Sequence, residues 1–406
     1  MRTERAAASG FGLGVIVVLY MAHALPLYFY NVAVPAILRS QGVDLRWIGM
    51  LSLLYLPWAF KFLWAPLVDR WHLPALGRRR SWLWLTQLLL LVGILVLAFT
   101  GLDHGLTVFV LVGMWISTVA ATQDIAIDSY TVEALAPAEH RLGSMAQSVG
   151  VALGSMVGGA GVLWLYETRG WTVALLSLAA MSALTLLAVQ QINEVSRPAA
   201  SQQPSVLRAL RRPELRWALL LIVLYRMVEA PAMAMVNPLL VDQEWSLTEI
   251  GLLISVGGAG VGMLAAVGAA WLLKQRSAEQ LLMHAGWWRT LLYVLLAALL
   301  YSGVLASSQF GLGALVIALL ALRYVAMTSL YALFMRISSR EQAGTDFTLL
   351  VCFELLIYFI GGALSGFLAK GLGYPAYYVA LAIVSALGLL LCRPLLRRFA
   401  PSPSSP

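Results

Sequence analysis

The sequence predicts an all-α membrane protein with twelve transmembrane helices in two pseudo-symmetric six-helix bundles. Three observations predict it: an apolar composition, twelve long apolar runs, and a repeat between the two halves. Of the 406 residues, 61% are hydrophobic and 11% are charged, whereas soluble domains are about 45–50% apolar and about 25% charged. A water-soluble fold of this length has no interior large enough for that surplus, so we expect it to face lipid.

Twelve apolar runs are long enough to cross a bilayer, whose hydrocarbon core of about 30 Å needs about 20 helical residues. They are continuous, unlike the short alternating strands of a membrane barrel. In chain order, spans 1 to 12 are predicted at 11–38, 47–69, 81–100, 105–134, 141–166, 171–190, 217–240, 247–274, 281–305, 310–336, 343–369 and 375–395.

The two halves of the chain resemble each other. Residues near the start of span 2 recur near the start of span 8 at an offset of 202: Leu45, Ile48, Gly49 and Leu51 correspond to Leu247, Ile250, Gly251 and Leu253. A duplicated six-helix unit is typical of transporters, which hold their substrate near the bilayer midplane. We therefore expect an N-terminal bundle at 1–190, a cytoplasmic linker at 191–216, a C-terminal bundle at 217–399 and a disordered tail at 400–406.

The distribution of Lys and Arg predicts the orientation in the membrane. With the N-terminus inside, nineteen of the 27 Lys and Arg residues lie in cytoplasmic segments and four lie outside. Positive charge concentrates on the cytoplasmic side, so both termini are expected in the cytoplasm. The expected location of the protein is the bacterial inner membrane. The net charge of +8 therefore reports topology and does not indicate a nucleic-acid partner.

The loop after span 2 combines an acid with a basic cluster. Residues 61–70 read KFLWAPLVDR, and residues 77–80 read GRRR. Charge-assisted hydrogen bonds between such groups can latch two helices together at the cytoplasmic surface; the alternative is ordinary anchoring by positive charge. The candidate latch residues are Asp69, Arg70, Arg78, Arg79 and Arg80.

These segments resemble a known family. The stretch 61–70 followed by 77–80 is similar to the loop signature of the major facilitator superfamily, and residues 121–128, ATQDIAID, resemble the fourth helix of one branch of it. That branch contains muropeptide permeases, acetyl-CoA transporters and siderophore importers of the rhizobactin and pyochelin type. The run from Pro35 to Asp69 looks most like the siderophore importers. The loop 274–276, KQR, lacks the acid of the signature, so a second, symmetric latch is not expected.

The resemblance implies that spans 1, 4, 7 and 10 line a central cavity, and ionisable residues deep within spans are costly and usually functional. Arg226 and Glu229 lie near the middle of span 7, spaced so that they can pair. Arg226, Glu229 and Arg323 are the candidates for binding an anionic substrate group, since guanidinium binds carboxylates bidentately. Glu229, Glu354 and His23 are the candidates for proton coupling. The alternatives are a purely structural Arg226–Glu229 pair and a neutral histidine.

Aromatic residues on the four cavity spans suit a flat or aromatic ligand, although packing and interface belts are the simpler explanation for them. They are Tyr20, Tyr28, Tyr30, Trp115, Tyr225 and Tyr324.

Asp124 and Asp128 lie one helical turn apart on span 4. Two carboxylates so close are not both charged cheaply unless a cation neutralises them, and the arginines of the loop between spans 2 and 3 are the expected counterions. We expect these aspartates to belong to the gating latch, with a proton carrier and simple packing as alternatives.

The sequence contains no phosphate-binding loop and no metal-ligand spacing, so no ATPase, cofactor or metal is expected. The combined prediction is a monomeric, proton-driven importer of a siderophore, or ferric siderophore, that works by alternating access. A muropeptide permease is the alternative, although Tyr- and Met-rich cavity spans favour the siderophore. A membrane-embedded transferase would have to use Asp124, Asp128 and Glu133 without a histidine. A sensor is disfavoured because no polar segment is long enough for a signalling domain.

Overall fold

The computed structural model describes residues 10–41, 54–101, 105–192, 194, 203–245, 249–250, 252–303 and 309–399. Within these ranges the chain is helical apart from short loops and one isolated bridge between Leu73 and Gly77. Eleven helices there are long and apolar enough to cross a membrane. They are Gly12–Leu38, Arg78–Thr100, Thr107–Ala134, Pro137–Arg169, Trp171–Gln190, Pro213–Asp242, Leu252–Leu272, Ala278–Tyr301, Phe310–Ile337, Ala343–Leu372 and Tyr374–Arg397, corresponding to spans 1 and 3–12. The all-α fold class is confirmed.

Span 2 lies partly outside the described residues, and so does much of the repeat around residues 45–51 and 247–253. The second part of span 2 consists of three short helices, Leu56–Phe60, Lys61–Leu63 and Ala65–Arg70, of which the middle one is a 3-10 helix. Pro57 and Pro66 occupy the first turns of the two α-helical pieces, where a missing N–H costs nothing. A further short helix, Val206–Arg211, precedes span 7.

Several spans contain breaks that have a local cause. Span 7 divides into Pro213–Arg226, Glu229–Ala234 and Val236–Asp242, because Pro231 and Pro238 have no N–H to donate to the preceding turns. Span 1 contains Pro26, followed by a π-helical turn at Phe29–Ala33. Spans 5 and 8 contain π-helical turns at Met156–Gly161 and Leu252–Gly257. Such turns often occur at functional sites.

The described chain divides into two compact units. Unit 1 comprises Met1–Ala209 and Ser338–Cys352, and unit 2 comprises Leu210–Ile337 and Phe353–Pro406. Span 11 therefore contributes its first part to unit 1 and its remainder to unit 2. The six-plus-six boundaries at 190 and 217 stay a prediction.

Large apolar side chains cover much of the helix surface. Phe310, Phe367 and Leu264 are 88%, 82% and 75% exposed on spans 10, 11 and 8. Apolar side chains in these numbers on long helices are typical of a surface solvated by lipid, where helices satisfy their own backbone hydrogen bonds.

Glycines on span 5 allow it to approach span 1 closely. A Cβ atom on Gly150 would lie 2.5 Å from the carbonyl oxygen of Val17, and one on Gly154 would lie 2.5 Å from Ala24 Cβ. Small residues four positions apart let two membrane helices bring their backbones together. This contact holds Tyr20 of span 1 and Gln147 of span 5 beside span 4.

Gly150→Val is expected to destabilise unit 1 by about 1–3 kcal/mol, because the added side chain would overlap the backbone of span 1. Thermal unfolding of the purified protein in detergent measures the change. Gly14→Val is the control, since a Cβ at Gly14 has no atom within 4 Å. Equal stability of the two variants would contradict the close helix contact.

Candidate functional site: buried charge clusters in each unit

A cluster of five charged side chains lies inside unit 2. Arg226 is its centre: its guanidinium donates to Glu229 and forms a second ion pair with Glu354. Arg226, Glu229 and Glu354 are all buried. The break in span 7 after Arg226 brings Glu229 back toward it, and Glu354 reaches it from span 11.

Two further arginines approach the same carboxylate. Arg289 Nη1 lies 3.5 Å from Glu229 Oε2, and Arg323 Nε lies 3.4 Å from Glu229 Oε1. Arg289 also donates to the carbonyl oxygen of Tyr225 and to Ser385 Oγ, each at 3.1 Å, and it stacks 4.6 Å above the Tyr225 ring. The position of Arg289 is therefore determined by contacts on three sides.

This unit 2 cluster has one positive charge in excess, because three guanidiniums face two carboxylates. The side chain of Arg323 is 29% exposed, whereas that of Arg226 is 3% exposed. Arg323 and Arg289 border a small cavity, which Tyr225 and Tyr293 also line. An accessible guanidinium beside an under-neutralised cluster can bind an anionic group such as a carboxylate.

The structure brings together five of the residues that the sequence singled out for substrate binding or proton coupling: Arg226, Glu229, Arg323, Glu354 and Tyr225. Arg226, however, does not line the cavity, and Arg289 does. Sequence reasoning missed Arg289 as a site residue, although its place within a span was a usable signal.

A second buried cluster lies in unit 1. Lys61 and Asp124 form a hydrogen-bonded ion pair, and His23 Nδ1 lies 3.3 Å from the other oxygen of Asp124. The Trp58 ring packs against this group, 5.4 Å from the His23 ring and 5.3 Å from Lys61 Nζ. The cluster therefore joins residues from spans 1, 2 and 4.

Asp128 lies one turn further along span 4 and has different neighbours. Tyr20 donates its hydroxyl proton to Asp128 Oδ1 at 2.8 Å, and Gln147 Nε2 approaches the same oxygen at 3.4 Å. Asp128 is 0% exposed.

A third set of charges surrounds Asp69, at the end of span 2. Arg79 Nη2 lies 2.7 Å from Asp69 Oδ1 and 2.6 Å from Glu133 Oε1. Asp69 also accepts from the backbone N–H groups of Gly344 and Thr345 at 3.2 and 2.7 Å, at the start of span 11, where the first N–H groups of a helix need acceptors. Arg78 Nε donates to the carbonyl oxygen of Asp69 at 2.7 Å.

Two sequence expectations about these groups were wrong. The loop arginines were expected to neutralise Asp124 and Asp128, but Arg79 pairs with Asp69 and Glu133, and Lys61 pairs with Asp124. The acidic cluster on span 4 was expected to lack a histidine, yet His23 lies beside Asp124. Neither contact follows from local sequence spacing, because each joins residues on different spans. Lys61 and Asp124, for example, are 63 positions apart.

The remaining latch candidates lie elsewhere. Arg70 Nη1 donates to Gln203 Oε1 at 3.2 Å. The backbone N–H of Arg80 donates to Glu194. Neither side chain is paired with Asp69 among the described ion pairs.

The candidate aromatic residues separate into different environments. Tyr30 lines a small pocket of unit 1 together with Tyr55 and Trp58, and the hydroxyls of Tyr30 and Tyr55 have no partner among the described residues. Trp115 is 48% exposed and donates to the carbonyl oxygen of Leu89 at 3.2 Å, which indicates packing between spans 3 and 4.

Two other candidates have separate surroundings. Tyr28 is half-buried at the end of the first helical segment of span 1. Tyr324 is half-buried on span 10 and packs over Gly262 of span 8.

Within the described residues, no group of three or more His, Cys, Asp or Glu side chains has the geometry of a metal site. Cys352 and Cys392 are both buried and free. The charged side chains of the clusters offer ion pairing, hydrogen bonding and proton exchange.

Long lipid-facing helices with buried charge clusters define a class of polytopic membrane proteins that move solutes. Residues 16–325 match the family model of the Major Facilitator Superfamily, which covers well over half of the chain. The protein belongs to this superfamily and is a secondary transporter, as the resemblance of its loop signature implied.

Individual relatives extend the comparison. The anhydromuropeptide permease of Escherichia coli strain K12 is 28% identical over 406 residues, covering 93% of this chain and 79% of the permease. The fucose:proton symporter FucP of E. coli has a TM-score of 0.70 at 12% identity, covering 96% of this chain and 98% of that chain. The human organic anion transporter MFSD10 has a TM-score of 0.68 at 18% identity, covering 97% and 99%. The two structures share the fold.

Proposed function

We propose that this transporter moves an anhydromuropeptide-like solute, a sugar joined to a short peptide, across the bacterial inner membrane. The observation that carries the proposal is the similarity to the anhydromuropeptide permease, which extends over 93% of the chain. This favours the muropeptide alternative over the siderophore that the run from Pro35 to Asp69 suggested.

The unit 2 cluster suits the charged part of such a solute. A peptide ends in a carboxylate, and a guanidinium binds a carboxylate through two parallel hydrogen bonds. Arg323 is the most exposed of the three arginines, and its ion pair with Glu229, at 3.4 Å, is longer than a normal hydrogen bond. Arg323 can therefore turn to an incoming carboxylate while Arg226 keeps Glu229 neutralised.

The unit 1 pocket suits an uncharged ring. Tyr30, Tyr55, Trp58 and Ser117 line it, and none of the lining side chains is charged. An aromatic face packs against the C–H face of a sugar ring, and the two unpartnered tyrosine hydroxyls can bind its hydroxyl groups. The Tyr-rich composition that favoured a siderophore is therefore also compatible with a sugar.

We propose alternating access driven by the proton gradient, with both termini in the cytoplasm and a monomer as the working unit. Asp69, Arg79 and Glu133, with the start of span 11, form the proposed latch. Asp124 is assigned instead to the buried pair with Lys61.

The experiment measures uptake of radiolabelled anhydromuropeptide into proteoliposomes with an imposed proton gradient. Saturable uptake that a protonophore abolishes is the expected result. A panel of ferric siderophores, labelled with radioactive iron, forms the second arm. Uptake of one siderophore without uptake of anhydromuropeptide would overturn the substrate proposal.

Arg323→Gln is expected to reduce anhydromuropeptide uptake about 10- to 100-fold, because a hydrogen bond to a charged group contributes about 1.5–3 kcal/mol. The effect should appear as a higher KM, measured from the concentration dependence of initial rates. Arg276→Gln, at an exposed position between spans 8 and 9, is the matched control. Identical KM values for the two variants would remove Arg323 from the substrate site.

A further inference from the structure

Asp128 is a buried carboxylate that forms no ion pair within the described part of the chain. Its Oδ1 atom accepts hydrogen bonds from Tyr20 and Gln147, which are both neutral. Its Oδ2 atom has no hydrogen-bond partner in the described part of the chain. None of the ion pairs formed there includes Asp128.

The charges closest to Asp128 balance one another and leave its own charge without a counterion. The single positive charge of Lys61 is matched by Asp124, and His23 lies on the second oxygen of Asp124. The side chains around Asp128 that ionise or carry charge are Tyr20, His23, Lys61, Asp124 and the thiol of Cys352. If all carboxylates were ionised and His23 were neutral, this group would hold one uncompensated negative charge.

Burying an isolated carboxylate costs far more than burying a neutral carboxylic acid. One proton on Asp128 Oδ2 brings the whole group to zero net charge, while Tyr20 continues to donate to Oδ1. We infer that Asp128 is the residue that binds and releases the coupled proton. The step forms and later breaks one O–H bond and requires no other reactant.

Protonation is less favourable for the other candidate proton carriers. A proton on Glu229 would disrupt ion pairs with Arg226, Arg289 and Arg323. Glu354 also has one oxygen without a partner among the described residues, but its other oxygen is paired with Arg226. A proton on His23 would place a second cation beside Lys61.

The position of Asp128 also connects it to ligand recognition. It is one helical turn from Asp124, whose partners Lys61 and His23 both contact the Trp58 ring. Trp58 lines the unit 1 pocket. A solute that displaces this ring would alter the Lys61–Asp124 pair and, through it, the electrostatic field at Asp128. This inference rests on the proposed proton-driven transport and assigns its coupling residue.

The first test needs no substrate. Infrared spectroscopy of the purified protein in lipid nanodiscs detects the C=O stretch of a protonated carboxylic acid. We expect a buried-acid band that disappears in Asp128→Asn and persists in Asp242→Asn, because Asp242 is exposed. Persistence of the band in Asp128→Asn would overturn the inference.

Tyr20→Phe supplies a second variant if Asp128→Asn fails to fold. A carbonyl that loses a hydrogen bond vibrates at higher frequency, so the band should shift upward without disappearing. A purely structural tyrosine would leave its frequency unchanged, and that result would also overturn the assignment.

The second test separates coupling from transport with radiolabelled anhydromuropeptide. Asp128→Asn mimics the protonated carboxyl, so exchange across the membrane without a gradient should remain while proton-driven accumulation is lost. Accumulation equal to that of the natural protein would overturn the inference. If the natural protein itself does not move this solute, the substrate proposal fails, and the infrared result still decides the role of Asp128.

Discussion

Arg226→Met is expected to cost unit 2 about 3–5 kcal/mol of stability. Removing one member of a buried ion pair leaves its partner as an uncompensated charge. Glu229 would retain Arg289 and Arg323. Glu354 would be left without its partner, since Arg226 is the only residue with which it forms an ion pair in the described chain. The loss therefore arises mainly at Glu354.

Thermal unfolding in detergent measures the effect, and the double variant Arg226→Met/Glu354→Gln isolates its cause. Neutralising Glu354 removes the orphaned charge, so the double variant should recover most of the lost stability. Arg276→Met, at an exposed site, should remain within about 0.5 kcal/mol of the natural protein. A double variant as unstable as the single one would show that Arg226 acts through packing.

Lys61→Met is expected to have a comparable effect in unit 1, about 3–5 kcal/mol, and to abolish proton-driven accumulation. The Lys61 and Asp124 side chains are 2% and 6% exposed, so Asp124 would lose its cation without gaining water. Two carboxylates one helical turn apart would then face each other with only His23 and neutral donors nearby.

A second substitution should restore the stability of this variant but not its transport. Lys61→Met/Asp124→Asn should regain stability because it removes both charges, while uptake should remain impaired because the site beside Trp58 has changed. Lys370→Met, at an exposed position, is the control for the loss of a lysine. Full stability of Lys61→Met alone would contradict a buried ion pair.

In both clusters, the sequence indicated a role for some of the charged residues and missed the role of another. Arg226, Glu229, Arg323 and Glu354 were recognisable because charge is rare inside apolar runs. Arg289 was equally visible but had no neighbour at helical spacing to suggest a role. Its contacts with Tyr225 and Ser385 come from spans 7 and 12, and no local pattern connects three separate helices.

The loop signature identified residues that form polar contacts, but it did not predict the residues with which they pair. Asp69 and Arg79 form an ion pair at 2.7 Å. Lys61, only eight positions before Asp69, instead turns into the helical unit and binds Asp124. Lys61 begins the short 3-10 segment Lys61–Leu63, and composition does not predict the direction of its side chain.

The sequence by itself determined the membrane class, the helical fold and the limits of most spans, including 171–190, which is the helix Trp171–Gln190. Hydropathy suffices for these because lipid imposes the same requirement on every spanning segment: apolar side chains outside and backbone hydrogen bonds satisfied within the helix. Only the tertiary structure decided the pairing of buried charges, including the isolation of Asp128. A pairing depends on the rotation and depth of several helices at once, and a hydropathy pattern carries neither quantity.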